Sequence, residues 1–378
     1  MRLAFCLFKY FPYGGLQRDF LRIAQTLLAR GHDIHVYTMR WDGDVPQGIH
    51  LHLLKTIGWS NHARSIAFAQ QVSQELADQQ YDVVVGFNKI PNLDLYYAAD
   101  VCYQARIKQQ RHAMYQLLPR YKAWVELEKS VFAPRLKTQI MLISPLQQIE
   151  YESCYQTESN RFHLLPPGIA KDRIAPINAA DIRNATRHAY QIQPDEKLLL
   201  MVGSGFKTKG LDRSLRALAA LPQALQTHCR LFVIGHDKPD RFAHLAKKLG
   251  IADRVAFLGG RSDVPDFLLA ADLLLHPSYH ENTGTAILEA LVAGLPVLTL
   301  DVCGYAGYVT VAQAGHVLSG PFQQAEFNQA LEKMLLSHDQ QSWRENAIKF
   351  AKSHDIYSLP EKAADLIETI GQQRALSQ

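Results

Sequence analysis

Short runs of consecutive apolar residues recur along this chain, and between them lie longer stretches in which apolar positions fall three or four residues apart. A strand buried on both faces reads as a continuous apolar run and a crossover helix as a 3.6-residue period, so the alternation predicts parallel sheets covered by helices. In the first half, strands are expected at residues 2–9, 34–38, 82–87, 95–101 and 138–143. The first helix is expected from about Leu16 to Arg30, preceded by Gly14-Gly15 and closed by Gly31, a usual left-handed cap. The rhythm restarts at 197–203 and continues at 231–235, 255–259, 273–276 and 297–300. The fold class that follows is α/β, with two Rossmann-like, doubly wound parallel-sheet domains in tandem. Their junction is placed at Leu165-Pro166-Pro167-Gly168, where two prolines and a glycine stop any continuing helix. The domains are then 1–166 and 167–356.

A chain of 378 residues with 47% hydrophobic and 20% charged side chains can bury two such cores and is no disordered segment. The apolar start, Leu3 to Phe8, runs into Lys9 without a small-residue cleavage site, and so reads as a strand and not a leader. No stretch approaches the roughly 20 apolar residues of a membrane span. Five scattered cysteines, with no C-x-x-C pair, fit a reducing compartment and no metal cluster. A cytoplasmic protein is expected.

The net charge of +4 is unevenly spread. Between Tyr103 and Lys137 stand Arg106, Lys108, Arg111, Arg120, Lys122, Lys129, Arg135 and Lys137 against Glu126 and Glu128, a net +6, which leaves the rest of the chain slightly acidic. Tyr103, Tyr115, Tyr121 and Trp124 interleave with these cations. Basic residues among aromatics suit an anionic membrane surface, with Arg106, Lys108, Arg111, Arg120, Lys122 and Trp124 as the expected contacts. A helix pair with a solvated basic face is the plainer alternative, and no nucleic-acid recognition motif accompanies the charge.

The most specific stretch is 277–296, Pro-Ser-Tyr-His-Glu281-Asn-Thr-Gly284-Thr-Ala-Ile-Leu-Glu289-Ala-Leu-Val-Ala-Gly294-Leu-Pro296. A strand ends at His276, a loop carries Glu281, and a helix from about Thr285 presents Glu289 roughly 7 Å along its axis. Ligands of open α/β sheets bind outside the carboxyl ends of the strands, where both glutamates fall. Acidic residues are also favoured near a helix start by its dipole alone.

Two glycine loops invite comparison with phosphate cradles. Gly14-Gly15 lies between the first strand and first helix, where backbone amides can meet an anion, although paired glycines also simply make tight turns. Gly203-Ser-Gly205-Phe-Lys-Thr-Lys209-Gly210 fits neither the G-x-x-x-x-G-K-[ST] nor the G-x-G-x-x-G pattern, since Leu211-Asp212 follow. Asp42-Gly43-Asp44 reads as a turn before a metal site. His32, His35, His50 and His52 lack a third ligand at sensible spacing and are expected to face solvent.

The 277–296 run resembles the E-x7-E element of glycosyltransferase family four, the retaining enzymes of GT-B fold, whose two Rossmann-like domains face each other across a cleft. The resemblance implies that Glu289 holds the donor ribose. Glu281 would stand at the reacting hexose, with Asn282, Thr283 and Gly284 on the donor sugar. Gly14, Gly15 and Lys209 would hold the donor diphosphate, and Arg261 and Val264 would meet the base. Many members carry a basic residue where this chain has Ser204 and another where it has Thr208; Arg173, just beyond Pro166-Pro167-Gly168, is the candidate for the missing charge, with an ordinary linker arginine as the alternative.

The runs at 5–20, 85–103 and 357–365 are similar to the lipopolysaccharide core glucosyltransferases within that family. That similarity implies transfer of glucose from UDP-glucose to an inner-core heptose in α-1,3 linkage. It also implies a last helix (357–378) packed on the first domain and no metal or cofactor beyond the UDP-sugar. Asp19 and Asp100 are read as acceptor-side carboxylates, Asp100 because it ends a strand of the first domain and so reaches the cleft, with a helix-dipole role as the alternative for Asp19. The expected location is the cytoplasmic face of the inner membrane, with no nucleic-acid partner. A transferase using another UDP-hexose, or a sugar-nucleotide epimerase of the same fold, remains the alternative.

Overall fold

The computed structural model describes residues 1–12, 14–111 and 113–377. The chain divides into two compact units, Met1–Gly168 with Ser358–Gln378, and Ile169–Tyr357.

In the first unit, β1 (Arg2–Cys6), β2 (Asp33–Thr38), β3 (Ile49–Leu53), β4 (Val83–Gly86), β5 (Leu95–Ala98), β6 (Gln139–Leu142) and β7 (Phe162–Leu164) form one parallel sheet in the order β3-β2-β1-β4-β5-β6-β7. The helix Gly15–Ala29 buries Phe20, Ile23, Ala24 and Leu27, the 3.6-period positions, on one face of the sheet. The helix Leu359–Ser377 adds Leu359, Ala363, Ala364 and Ile367 to that same core. Its Glu368 accepts from Arg30 Nη1 at 2.7 Å, and Arg374 pairs with Asp94.

The second unit repeats the plan. β8 (Lys197–Val202), β9 (Cys229–Ile234), β10 (Val255–Gly259), β11 (Leu273–His276), β12 (Val297–Leu300) and β13 (Gly315–Leu318) are parallel in the order β10-β9-β8-β11-β12-β13. Each face of this sheet carries its own apolar cluster, one around Leu200, Leu274 and Leu291, the other around Leu199, Leu275 and Leu331. The side chains of successive strand residues thus feed alternate layers. No helix among the described residues is long and apolar enough to cross a membrane.

Three strands were not expected. β3 alternates His50 and His52 with Ile49, Leu51 and Leu53 and lies at the sheet edge, β7 has three residues, and β13 opens with glycine and histidine. Two expected strands are shorter: β1 stops at Cys6 and β5 at Ala98, so Asp100 stands exposed on the loop beyond β5 and does not end the strand.

The histidines also need correction. Asp33, His35 and Tyr37 share one face of β2, and parallel register sets His50 beside His35. His35 is therefore buried, with the His50 ring stacked at 4.8 Å and its Nδ1 at 3.0 Å from His52 Nε2. His50 alone of this stack stays largely exposed, and His32 lies against Glu368 at 2.7 Å.

Candidate active site

In the second sheet the strand order reverses direction between β8 and β11, and the loops leaving the carboxyl ends of these two strands meet. Gly210 makes the meeting possible. It sits at φ 75°, and any side chain there would collide with the carbonyl oxygen of Pro277. The Tyr279 amide donates to Thr208 O at 2.8 Å, closing the contact from the other side. Arg213 locks the second loop: its Nη1 donates to Pro277 O and Ser278 O, both at 3.1 Å, while its guanidinium lies between the rings of Tyr279 and Phe322 at 3.6 and 3.7 Å.

The result is a nest of donors around one carboxylate. Lys209 Nζ pairs with Glu281 Oε1, while His276 Nε2 lies 2.6 Å and Ser278 Oγ 2.9 Å from Oε2. His276 and Ser278 are fully buried. Burial by itself would raise the Glu281 carboxyl, but the His276 and Lys209 cations outweigh it and hold the group well below the usual carboxylate range. Burial would likewise lower His276, yet the adjacent Glu281 charge raises it to about 9.

The pair thus carries opposite charges at neutral pH. His276 contributes stability that is fully present below its ordinary 6.5 and is lost as pH rises through about 9. Glu281 contributes stability that is lost only as pH falls well below 4.5. Melting temperature should therefore fall on the alkaline side near pH 9, and His276→Gln, which keeps a donor without the charge, should lose that limb in a pH series of thermal melts.

Glu289 lies buried on the helix Thr285–Val292, which opens at Gly284 (φ 87°) directly after the Glu281 loop. Thr283 O accepts from Tyr305 N at 2.7 Å, and Asn282 stands beside it in the same loop. Ser204 Oγ accepts from the His236 amide at 3.0 Å, so this hydroxyl is engaged with the loop after β9. Arg173, in the turn Lys171–Arg173, keeps Nε and Nη1 buried without a hydrogen-bond partner, with Asp172 at 3.7 Å. Arg261 is held two-pronged by Asp263 at 2.7 and 2.6 Å, and Val264 starts the helix Val264–Ala270.

In the first unit Gly14 caps and Gly15 begins the first helix, so its opening amides point out of the turn. Asp19 lies one turn further along. Burial raises its carboxyl against the opposing pull of Arg18 and of Tyr97, whose hydroxyl donates to Oδ2 at 2.8 Å.

The basic segment folds as the helices Tyr103–Gln110 and Pro119–Phe132. Glu128, read from sequence as a charge diluting a basic face, is instead fully buried. It pairs with Lys89 and accepts from Tyr155 Oη at 2.5 Å, Tyr103 N at 2.9 Å and Gln104 N at 3.0 Å. It thereby caps the first helix from within the second. Trp124, expected at a membrane, instead packs toward the core with its ring 6.4 Å from Phe8. Lys108, Arg111, Arg120 and Lys122 are exposed, Arg106 is half-buried over Tyr103, and Met114, Leu117 and Leu118 stand out among them.

Among the described residues two groups bring metal-ligating atoms within 4.8 Å of one another: Asp33, His35 and His50, and His276, Glu281 and Cys303. A fixed cation competes at both, since Arg2 Nε lies 3.2 Å from His35 Nε2 and Lys209 sits on Glu281.

Residues 13–173 match glycosyltransferase family 4, and residues 182–350 match glycosyl transferases group 1. The lipopolysaccharide glucosyltransferase WaaG of Escherichia coli (strain K12) is 46% identical over 368 residues, covering 97% of this chain and 98% of the relative. The chain belongs to the lipopolysaccharide glucosyltransferase family. The crystal structure of WaaG, a glycosyltransferase involved in lipopolysaccharide biosynthesis, superposes with a TM-score of 0.91, covering 97% of this chain and 99% of that one. Anabaena Alr3699/HepE in complex with UDP and glucose shares the fold at 17% identity and a TM-score of 0.71, over 100% and 99% of the chains. The two parallel-sheet units are those of a GT-B glycosyltransferase of lipopolysaccharide core biosynthesis.

Proposed function

We propose that the chain transfers glucose from UDP-glucose to an inner-core heptose of lipopolysaccharide, in α-1,3 linkage and with retention at the anomeric carbon. The observation that carries this reading is the Glu281 nest. Glu281, kept ionised by the buried His276 imidazolium at the carboxyl ends of β8 and β11, suits a sugar that gains positive charge as its bond to the diphosphate breaks, once Lys209 turns from it to the diphosphate.

In this reading Asn282, Thr283 and Gly284 shape the hexose pocket, Glu289 binds the ribose hydroxyls, and Arg261 and Val264 flank the base. Lys209 and Arg173 receive the charge of the departing diphosphate, for which Arg173 has two unspent donors. The Gly14 and Gly15 turn of the first unit is a further anion-binding element, and Asp19 and Asp100 serve the acceptor. Glu281 itself makes a poor nucleophile because its donors depress its basicity, which favours a front-face route over double displacement. In that route the UDP oxygen takes the acceptor proton as the acceptor oxygen attacks the carbon it is leaving. No metal is needed where lysine and arginine neutralise the leaving group.

Radiolabelled UDP-glucose with heptose-terminated core lipopolysaccharide tests the activity, with UDP-galactose and UDP-N-acetylhexosamines run beside it. Label should enter the acceptor from UDP-glucose alone. Turnover without acceptor would favour the epimerase reading. Glu289→Ala should weaken UDP binding roughly tenfold in calorimetry, as loss of one charge-assisted hydrogen-bonding group does.

The protein should also bind the cytoplasmic face of the inner membrane through the segment 103–132, where Met114 and Leu117 are 78% and 70% exposed beside Arg111, Arg120 and Lys122. Reversing Lys108, Arg111 and Arg120 to glutamate should release it from anionic vesicles in a sedimentation assay. Nucleic acid is not a partner in this reading.

A further inference from the structure

At the amino ends of β2 and β3, the opposite end of the first sheet from the Gly14-Gly15 turn, three side chains bring their ligating atoms together. Asp33 and His35 stand two residues apart on β2 and share a face, and the parallel register sets His50 of β3 beside His35. Asp33 thus supplies the third ligand that the histidine spacing conceals. Its Oδ2 lies 3.1 Å from His35 Nε2 and its Oδ1 lies 3.2 Å from His50 Nε2. Ligands of a tetrahedral ion, each about 2.0–2.1 Å from it, stand roughly 3.4 Å apart, so both carboxylate contacts already have nearly the spacing of such a shell. The side chains of His50 and Asp33 are 61% and 46% exposed, which opens the group to solvent, while His35 is buried between the His50 and His52 rings.

His35 Nε2 is caught between a donor, Arg2 Nε at 3.2 Å, and an acceptor, Asp33 Oδ2 at 3.1 Å. With a proton this nitrogen opposes the guanidinium N–H, and with a lone pair it opposes the carboxylate, so neither form satisfies both neighbours. Protonating both His35 and His50 would gather two imidazolium charges and Arg2 around a single carboxylate. A metal ion between the lone pairs and the carboxylate removes the conflict. The form it needs puts the His35 ring proton on Nδ1, which then donates to His52 Nε2 at 3.0 Å. Metal-binding histidines are commonly held in this way by their second nitrogen. Arg2 keeps partners when its Nε gives up His35, because Nη2 donates to Gln79 Oε1 at 3.1 Å and the guanidinium lies over the Tyr81 ring at 4.7 Å.

We infer that Asp33, His35 and His50 bind a divalent transition-metal ion of the zinc class, which clips the edge strand β3 to β2. Two imidazole nitrogens and one carboxylate suit zinc, nickel or copper, whereas magnesium and calcium take oxygen ligands. Water completes the shell on the solvent side. β3 pairs with β2 alone, so an ion held by both strands adds a second tie to the weakest edge of the sheet. The ion is structural and takes no part in sugar transfer. Arg2 is its built-in competitor, because the guanidinium charge repels any cation that enters.

Titration calorimetry of the chelator-treated full chain with zinc chloride at neutral pH, beside thermal melts with zinc or magnesium chloride, tests this. Zinc at about a hundred times its dissociation constant should raise the melting temperature by roughly 5–10 °C, and magnesium should leave it unchanged. Asp33→Asn and His50→Gln change exposed side chains and should fold; each should weaken zinc binding at least about tenfold and abolish the zinc-dependent shift. Arg2→Gln should tighten zinc binding several-fold, an effect that adventitious binding to histidines elsewhere would not show. Sugar transfer should be unaltered by chelator and by His50→Gln. A native chain whose melting ignores zinc, Asp33→Asn and His50→Gln variants that bind it within about twofold of the native chain, or an Arg2→Gln variant that binds it no more tightly would each overturn the inference. Loss of transfer on chelation would overturn the structural role of the ion.

Discussion

Glu281→Gln is expected to cut glucose transfer about a hundred- to a thousandfold, the usual effect of deleting one group that stabilises developing charge. Glutamine keeps the shape of the side chain but leaves the Lys209 ammonium facing a neutral amide and removes the charge that keeps the buried His276 protonated. Breaking a buried pair in this way typically costs about 3–5 kcal/mol, so the variant should also melt earlier. The two effects separate in Lys209→Met/Glu281→Gln, which removes the stranded cation. It should regain part of the melting temperature and none of the rate. The check is kcat at saturating donor, measured well below the melting transition, beside UDP affinity by calorimetry. An unchanged kcat would remove Glu281 from the chemistry.

Glu128→Ala should be the most destabilising single change in the first unit. It strands Lys89, the Tyr155 hydroxyl and two helix-start amides around a fully buried void. About 3–5 kcal/mol is the expected cost, and at about 2–4 °C per kcal/mol for a unit of this size the melting transition should drop by roughly 10 °C. The consequence for membranes has an informative sign. Removing an acid makes the segment more positive, so charge alone predicts tighter binding to anionic vesicles. If the helix Tyr103–Gln110 must instead be held in place to present Lys108 and Arg111, binding weakens. Calorimetry and vesicle sedimentation on the same variant decide between them.

The buried strands were legible because their surroundings leave no choice of residue. Leu198 to Val202 and Leu273 to Leu275 are covered on both faces, and only a continuous apolar run satisfies that position. β3 escaped notice because an edge strand with histidines at alternate positions satisfies no such rule. The E-x7-E spacing was readable for a related reason, since a strand end, a glycine at φ 87° and a short helix fix where both glutamates fall.

What holds Glu281 was not readable. Lys209 is 72 residues away and meets it only because Gly210 lets two loops touch. His276 closes the apolar strand β11, and a histidine at a fully buried strand end was a usable signal that went unread. Arg213 looks like any helix-surface arginine until Pro277 and Ser278 turn their carbonyls toward it. Glu128 was misread for the same reason: its partners Lys89 and Tyr155 come from elements far apart in sequence, and a charge in a basic stretch reads as solvated. Trp124 reads as a membrane anchor because composition says nothing of which face a helix turns inward.

These contacts hold the loop after β11 in one conformation. Arg213 fixes its backbone, Ser278 and His276 orient one oxygen of Glu281, and Lys209 balances its charge. In the proposed route a carboxylate so held stabilises a cationic sugar and forms no bond with it.

The Glu281 nest is proposed to serve retaining transfer of glucose to a heptose. Proton NMR of the product, followed from UDP-glucose and heptose-terminated core lipopolysaccharide, tests it most directly. A new anomeric signal is expected, with the small coupling of an α-glucoside attached to the heptose. A β-configured product, or conversion of UDP-glucose with no sugar reaching the acceptor, would contradict it.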